Sequence, residues 1–284
     1  MKLNAKTLFN QKNIKPLLYL HDMKFKIFSE LSYEVFTLTT FFFNIQVAKC
    51  AGQHILEESL SISPDLIFSE YSLKDSDARF IKMQINYGNF TITYQATVEV
   101  EEKLIDENTL ITSLPLIKTD HEVLPYISPS RHCESDKLIH FAQKEFGHLS
   151  NDYEKANAIS DWIFKTIAYR TASTNSSISA CDTLISREGV CKDFAHLGIA
   201  LCRAMDIPAR YFSGYASNLN PPDIHACFEA YLGGQWINFD ATHLSEKNGL
   251  VKISNGKDAS EIAVATYYGQ TNCTYMNVQC DIVE

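Results

Sequence analysis

The periodicity of the apolar residues changes once along this chain, and that change limits the fold more than any other feature. Residues 23–103 carry short runs of aromatic and β-branched residues that alternate with polar ones, a pattern typical of half-buried strands. From Asp136 onward the apolar residues recur at helical spacing, as in Leu138, Ile139 and Ala142. The sequence therefore predicts a β-rich first half and a mixed second half.

These patterns divide the chain into four predicted segments. Residues 1–22 form an N-terminal extension, residues 23–103 an antiparallel β-sandwich, residues 104–130 a proline-containing linker, and residues 131–284 an α+β domain. Within the first half, strands are predicted at residues 25–35, 36–47, 80–85 and 90–100. A polar stretch at residues 171–180 predicts a long loop of the kind that often borders a functional site.

The charge balance excludes some partners. The formal net charge is −9, and no basic stripe is visible of the kind that neutralises nucleic-acid phosphates. We therefore expect no nucleic-acid partner and no attraction to an anionic membrane surface. The apolar run at residues 36–47 is shorter than the roughly 20 residues that a membrane-spanning helix needs.

The cysteines and the start of the chain indicate a reducing compartment. Eight cysteines occur without any CxxC pair, and the first twenty residues do not have the pattern of a secretory signal. We therefore expect reduced thiols and a cytoplasmic location. Because histidine and cysteine are scattered along the chain, the sequence predicts no zinc site and no cofactor.

One cysteine lies where a helix is expected to begin. Residues 189–205 start with a turn glycine and place Phe194, Leu197 and later apolar residues on one helical face, and Pro208 ends the pattern. Cys191 then falls in the first turn, where unpaired N–H groups and the helix dipole favour a thiolate. That position suits a nucleophile.

A β-hairpin is predicted at residues 223–242, with the Gly-Gly pair at 233–234 as its turn. In this register residue 227 faces residue 240, so that His225 and Asp240 are diagonal neighbours on one face. That face carries an unusual number of polar side chains: His225, Cys227, Glu229, Asn238 and Asp240.

Cys191, His225 and Asp240 together supply the groups that thiol catalysis needs. A histidine accepts the thiol proton and later donates it to the leaving amine, and a carboxylate behind the ring fixes its tautomer and orientation. The backbone N–H at the helix start stabilises the oxyanion of a tetrahedral intermediate. The residues thus predict a Cys-His-Asp triad.

Several blocks of the second half, in order and spacing, resemble the transglutaminase-like superfamily, and in particular its bacterial cysteine-protease-like branch. The blocks are Gly-Val-Cys-Lys-Asp-Phe-Ala-His-Leu (189–197), Asp-Ile-Pro-Ala-Arg (206–210), Ser-Gly-Tyr (213–215), His-Ala-Cys-Phe-Glu-Ala-Tyr (225–231), Trp236 and Phe-Asp-Ala-Thr (239–242). The resemblance covers residues 135–270, and the β pattern of the first half is similar to the sandwich domain that often precedes this core.

The resemblance implies a papain-like core with the nucleophile helix packed on an antiparallel sheet. It also implies Cys191 as nucleophile, His225 as general base and acid, and Asp240 as the orienting carboxylate. Residues 255–258 resemble a short segment expected near the site. The sequence departs from the family pattern at Cys227, where an aromatic residue is common, and also at Lys192 and Ala241.

Three functions remain open at this level. A thiol hydrolase would cleave amide or peptide bonds of a peptide or protein substrate, whereas a transglutaminase-type acyltransferase would join glutamine side chains to amines. A degenerate core could instead be a non-enzymatic interaction module. The intact triad argues against the last, and the absence from this sequence of the acidic loops of calcium-dependent members favours hydrolysis. Oligomeric state, substrate identity and the second oxyanion donor are not predicted.

Overall fold

The computed structural model of the chain describes residues 22–73, 76–102, 107–111, 116–170, 177–246 and 248–283. The predicted N-terminal extension lies outside the described residues except for Asp22, and so does most of the loop predicted at residues 171–180.

The first half consists of strands joined by short connections: β1 (Met23–Val35), β2 (Thr39–Phe43), β3 (Gln53–Ser63), β4 (Phe68–Ser72), β5 (Arg79–Ile85) and β6 (Gly88–Val100). The four predicted strands correspond to β1, β2, β5 and β6. The sequence analysis missed β3 and β4, because β4 is exposed along its whole length and most of β3 faces solvent, so neither shows a clear apolar alternation.

The second half mixes helices and strands. Its elements in chain order are α1 (Glu107–Leu110), α2 (Ser135–Phe146), α3 (Asp152–Thr166), β7 (Ala168–Tyr169), α4 (Ala180–Ser186), β8 (Glu188–Gly189), α5 (Cys191–Arg203), β9 (Ala209–Ala216), β10 (Ile224–Leu232), β11 (Gln235–Phe239), β12 (Leu250–Gly256), β13 (Ala265–Tyr268) and β14 (Thr271–Val283). No helix among the described residues is long and apolar enough to cross a bilayer.

The sandwich consists of two four-stranded antiparallel sheets that face each other. Their strand orders are β14-β1-β6-β3 and β13-β2-β5-β4. The last two strands of the chain therefore return to the sandwich, with Lys24 opposite Val283 and Phe43 opposite Ala265. The sequence analysis assigned this C-terminal stretch to the second domain, because a strand whose partner lies some 240 residues away leaves no local signal of its pairing.

Aromatic side chains fill the space between the two sheets. Tyr33, Phe41, Phe43 and Phe90 form one cluster in which neighbouring ring centroids lie 5.1–6.1 Å apart. All four side chains are buried, so most of their hydrophobic free energy is realised on folding. The α+β fold class, with an N-terminal antiparallel sandwich before a helix-and-sheet core, is confirmed.

A third antiparallel sheet, of order β11-β10-β9-β12, carries α5 on one face. The helix is central, since every residue from Asp193 to Arg203 is buried. At Gly198 the helix approaches β10 so closely that a Cβ atom would come within 2.5 Å of the Phe228 ring. Glycine is therefore required there, and the close approach fixes the helix against the strand that carries His225.

Polar contacts join the third sheet to the sandwich. The Tyr215 hydroxyl donates to the carbonyl oxygen of Ile45 at 2.6 Å, and the Asn44 amide donates to Ser254 Oγ at 2.6 Å. Because these groups are buried, each contact satisfies atoms that would otherwise lose their hydrogen bonds to water. The sandwich thus supports the sheet on which the candidate site is built.

Candidate active site

The position of Cys191 is set by the way α5 begins. Val190 has an extended backbone (φ −111°, ψ −176°), and its N–H donates to Asp193 Oδ2 at 3.0 Å. A Cβ atom at Gly189 would lie 2.7 Å from the Asp193 Cβ, so only glycine permits this tight entry. The helix therefore starts at Cys191, as the sequence predicted, and its unpaired N–H groups lie around that thiol.

The hairpin of β10 and β11 has the predicted register. Phe228 faces Phe239 and Leu232 faces Gln235, and both turn residues have positive φ, 58° at Gly233 and 88° at Gly234. That conformation is the one that a two-residue hairpin turn needs and that glycine adopts without strain.

His225 and Asp240 lie together at the open end of this hairpin, just beyond the last paired residues. The ring Nε2 of His225 lies 2.9 Å from Asp240 Oδ2. The carboxylate is further held at Oδ1 by the N–H and hydroxyl of Thr242, at 2.9 and 2.6 Å, and at Oδ2 by the N–H and hydroxyl of Ser245, at 2.8 and 2.7 Å. Asp240 is thus fixed from both oxygens, and it fixes the imidazole in turn.

The two groups shift each other's pKa in opposite directions. Burial lowers the pKa of the His225 imidazole, but the hydrogen bond to Asp240 and the neighbouring thiols of Cys191 and Cys227 outweigh burial and leave that pKa raised. Burial raises the pKa of the Asp240 carboxyl, and the His225 ring with the Thr242 and Ser245 donors outweighs it, so that pKa is lowered. The charged pair is therefore the favoured state.

The other ring nitrogen of His225 has a different environment. Nδ1 is buried and has no hydrogen-bond partner among the described residues. Cys191 and His225 line the same cavity, of about 590 Å³, and the Cys191 side chain is close enough to raise the pKa of the His225 ring. The structure thus brings all three predicted residues together, with one ring nitrogen held by the carboxylate and the other unpaired.

Two residues of this region were not singled out by the sequence. Tyr169 pairs with Gly189 through the parallel ladder of β7 and β8, which places its hydroxyl next to the backbone N–H of Cys191. Burial and the nearby Cys191 thiolate raise the pKa of Tyr169 to about 12, so that its hydroxyl keeps its proton. Asp223 also lines the cavity, and burial raises the pKa of its carboxyl. The sequence gives no signal for Tyr169. For Asp223 its only signal is the position two residues before His225.

The opposite wall of the cavity contains two stacked histidines. The rings of His132 and His196 lie 4.9 Å apart and nearly parallel, and His196 Nε2 accepts the Ala259 N–H at 3.1 Å. Burial, and next the neighbouring His132, lower the pKa of His196 to about 3, so this ring is neutral. His196 is thus packed in the core and also lines the cavity.

Glu229, another polar residue of this hairpin face, has a structural partner. Glu229 accepts from Arg210 Nε at 2.6 Å, and the Arg210 guanidinium lies 4.1 Å from the centre of the Trp236 ring. Residues 255–258, which the sequence expected near the site, lead directly to Ala259 and Ser260 in the cavity wall.

Three side chains of the β10–β11 hairpin, each of different chemistry, converge near Cys191. Nitrogen, sulfur and oxygen atoms of His225, Cys227 and Asp240 all lie within 4.8 Å of one another. Burial raises the pKa of the Cys227 thiol to about 12, so this thiol is protonated when alone. The sequence analysis predicted no zinc site from scattered histidines and cysteines, but scatter along the chain does not prevent the hairpin from bringing them together.

Fold and site together define an α+β protein in which a cysteine begins a buried helix and a histidine–carboxylate pair lies on the adjoining sheet. Comparisons with known proteins agree. Residues 139–241 match the family described as transglutaminase-like superfamily, and residues 23–122 match the bacterial transglutaminase N-terminal domain. A solved structure from Cytophaga hutchinsonii, described as a candidate cysteine protease, is 48% identical, covers 93% of this chain and 92% of its own, and superimposes with a TM-score of 0.90.

More distant relatives also occur among curated proteins. An uncharacterized protein of Mycobacterium leprae is 27% identical over 210 residues, which are 69% of this chain and 74% of the relative. An uncharacterized protein of Mycobacterium tuberculosis is 40% identical over 139 residues, or 43% of this chain and 44% of that protein. The chain thus matches less than half of the length of the second relative. On the match to the Cytophaga hutchinsonii protein and the two family matches, this chain belongs to the transglutaminase-like superfamily.

Proposed function

We propose that this chain is a thiol hydrolase that cleaves amide or peptide bonds through an acyl-enzyme formed on Cys191. The observation that carries the proposal is the unpaired, buried Nδ1 of His225, beside the Cys191 thiol, on a ring whose Nε2 is held by Asp240. With Nε2 held by Asp240 the imidazole is a strong base with a fixed direction, so Nδ1 takes up the thiol proton and the charged ring stays beside the sulfur.

The reaction follows from these positions. The Cys191 proton passes to His225 Nδ1, and the thiolate sulfur attacks the carbonyl carbon of the substrate to form a tetrahedral intermediate. The N–H of Cys191 donates to the oxyanion, and a donor of this kind contributes roughly 3–4 kcal/mol. The hydroxyl of Tyr169, which lies beside that N–H and keeps its proton, is the second donor that we propose.

Collapse of the intermediate breaks the carbon–nitrogen bond. The leaving amine takes the proton from His225 Nδ1, and the acyl group remains on Cys191 as a thioester. A water molecule then gives its proton to the same nitrogen and attacks the thioester, which releases the carboxylic acid and regenerates the thiol. Asp240 keeps the ring oriented throughout and stabilises its charged form.

The cavity supports a peptide or protein substrate. Its volume of about 590 Å³ accommodates an extended segment of a few residues, and both apolar and charged side chains line it. The description of the Cytophaga hutchinsonii relative as a candidate cysteine protease favours hydrolysis over transfer to an amine.

A thiol-directed probe tests the nucleophile. We expect a chloroacetamide-bearing peptide to label the wild type at Cys191, with labelling abolished in Cys191→Ser and reduced at least tenfold in His225→Ala. Cys273→Ser is the matched control, because Cys273 is an exposed thiol away from the site. Equal labelling of Cys191 in the wild type and in His225→Ala would remove the imidazole from the mechanism.

Product analysis separates hydrolysis from transfer. Glutamine-containing peptides are incubated with the enzyme with and without a primary amine and then analysed by mass spectrometry. Hydrolysis gives shortened or deamidated peptides in both cases. Products that carry the amine in place of ammonia, with no hydrolysis, would instead identify an acyltransferase.

The location of the enzyme is part of the proposal. All eight cysteines are free thiols, which is the usual state of cysteines in the cytoplasm. We propose a cytoplasmic location, and cell fractionation followed by immunoblotting tests it: recovery in the extracellular or periplasmic fraction would contradict it.

A further inference from the structure

The hairpin that holds the histidine–carboxylate pair also contains a thiol that the proposed reaction does not use. Cys227 lies two residues after His225 on the same strand, and alternate residues of a strand point to the same side. Its side chain is buried, as is that of His225, and Asp240 is only slightly exposed. One sulfur, one ring nitrogen and one carboxylate oxygen thus lie within 4.8 Å of one another.

This donor set has the chemistry of a zinc site. Thiolate, imidazole and carboxylate are the ligands that Zn²⁺ takes, at about 2.0–2.3 Å, and sites with three protein ligands keep a fourth position for water. Ligands at those distances lie roughly 3.5 Å apart in a tetrahedron, so a pair of atoms separated by the full 4.8 Å must approach by about 1.3 Å, which the two side chains share. Small side-chain rotations supply shifts of that size.

Charge and support also fit a divalent cation. A Cys227 thiolate and the Asp240 carboxylate together balance the two charges of the metal, and a neutral complex suits a buried position. The carboxylate is already oriented by Thr242 and Ser245, which is the outer-shell support that metal-binding carboxylates have.

We propose that His225, Cys227 and Asp240 form an inhibitory zinc site inside the catalytic site. Binding releases the Cys227 proton and one proton of the His225 imidazolium to solvent, and it forms zinc bonds to the sulfur, a ring nitrogen and a carboxylate oxygen. If the metal takes Nε2, the hydrogen bond between His225 and Asp240 is lost; if it takes Nδ1, the basic atom is blocked. In both cases the imidazole no longer accepts the Cys191 proton. The inhibitory consequence rests on the proposed function, whereas metal binding does not.

The site depends on Cys227 and not on Cys191. Cys191 does not belong to the cluster of mutually close atoms. The site therefore predicts that metal binding survives removal of the nucleophile but not removal of Cys227.

The test measures metal binding directly. Zn²⁺ affinity is determined by competition with a chromophoric chelator for the wild type, Cys191→Ala, Cys227→Ala and Cys202→Ala. Cys202 is the matched control, since it is also a buried thiol but lies in α5. We expect one zinc ion per chain in the wild type and both controls, with affinity at least about tenfold lower in Cys227→Ala.

A cobalt spectrum and an activity assay complete the test. The wild type with Co²⁺ should show a thiolate-to-metal charge-transfer band that persists in Cys191→Ala and is absent from Cys227→Ala. If Cys227→Ala does not fold, two other measurements decide the question. They are the cobalt charge-transfer band of the wild type and the zinc affinity of Asp240→Asn. Zinc should inhibit the wild type reversibly, and Cys227→Ala should stay active and require at least tenfold more zinc for inhibition.

The outcomes are distinguishable from those of the proposed function. Unchanged zinc affinity in Cys227→Ala, or loss of the cobalt band in Cys191→Ala, would overturn the site and place the metal on the nucleophile alone. A chain without hydrolytic activity that still binds zinc through Cys227 would refute the function and leave the metal site standing.

Discussion

The sandwich and the core each contain an ion pair with one buried partner, and the two pairs differ in how completely their polar atoms are hydrogen-bonded. In the sandwich, Arg79 donates to Glu58 through both terminal nitrogens, at 2.8 and 2.9 Å, and the Tyr94 hydroxyl donates to the same carboxylate at 3.0 Å. In the core, Asp240 is equally well satisfied, but the Nδ1 atom of His225 is buried with no partner among the described residues.

This difference separates a structural pair from a functional one. A buried polar atom without a partner costs about 1–3 kcal/mol, which a pair that only stabilises the fold has no reason to retain. The arginine–carboxylate pair is bidentate: each terminal nitrogen of Arg79 donates to one carboxylate oxygen of Glu58. The comparison therefore predicts that mutations in the core pair affect activity, and that mutations in the sandwich pair affect stability.

The largest effect is expected from Asp240→Asn. The amide keeps an oxygen acceptor for the Thr242 donors, so the fold should persist, but the imidazole loses the partner that fixes its tautomer and charge. We expect amide turnover to fall by about 10³–10⁴-fold. Turnover is measured beside the near-ultraviolet circular dichroism spectrum, which should not change. Full activity in the variant would remove Asp240 from the mechanism.

The sandwich pair gives the converse result. Arg79→Met removes the two hydrogen bonds of the guanidinium to the Glu58 carboxylate, which remains in contact with solvent, and we expect the free energy of unfolding to fall by about 1.5–3 kcal/mol. Activity per folded molecule should remain unchanged.

Lys49→Met is the matched control for this variant, because Lys49 lies 3.7 Å from the same carboxylate but is exposed. It should cost about 0–1 kcal/mol. Urea denaturation measures the free energy of unfolding of the wild type, Arg79→Met and Lys49→Met. If Arg79→Met reduced turnover by tenfold while remaining folded, the two pairs would not be functionally distinct.

Local signals in the sequence account for the parts of the site that lie on single elements. The turn glycine before Cys191 and the Gly-Gly pair of the hairpin fix, respectively, where α5 starts and the register of β10 with β11. Because one register places His225 and Asp240 on the same face, alternation along two short segments was enough to predict that they meet.

The remaining features depend on pairings between distant segments. Strand β14 joins β1, and Tyr169 reaches Cys191 through a two-residue parallel ladder; neither pairing has a periodicity of its own. Cys227 approaches Asp240 because of the same predicted register. That His225, Cys227 and Asp240 form a largely buried cluster, however, is visible only in the structure. Long-range pairing and burial are therefore what sequence periodicity could not supply.

The pH dependence of stability tests whether His225 and Asp240 form a charged pair. The raised pKa of His225 contributes stability that is fully present below the ordinary histidine pKa of about 6.5 and is lost as the pH rises toward the folded value. The lowered pKa of Asp240 contributes stability that is present above the ordinary aspartate pKa of about 3.9 and is lost as the pH falls.

The difference in unfolding free energy between the wild type and Asp240→Asn should therefore be largest between about pH 4 and 6.5 and smaller at pH 9. Denaturation in metal-free buffer at pH 5, 7 and 9 measures it. A difference that grew toward pH 9 would contradict a charged pair.

The smallest effect is expected at the residues that hold the carboxylate. Ser245 Oγ donates to Asp240 Oδ2 at 2.7 Å, and in Ser245→Ala the backbone N–H of the same residue still donates at 2.8 Å. Loss of one such bond weakens the orientation of Asp240 by about 1 kcal/mol, so we expect turnover to fall by about fivefold with little change in stability. Ser245→Thr keeps the hydroxyl and should restore most of the activity, which a purely steric role would not predict.

Ser179→Ala is the control, because it also removes a serine-to-aspartate bond but at the start of α4, where it should lower stability and leave turnover unchanged. If Ser245→Ala instead behaved like Ser179→Ala, the donors around Asp240 would belong with the Arg79 pair, as part of the structure only.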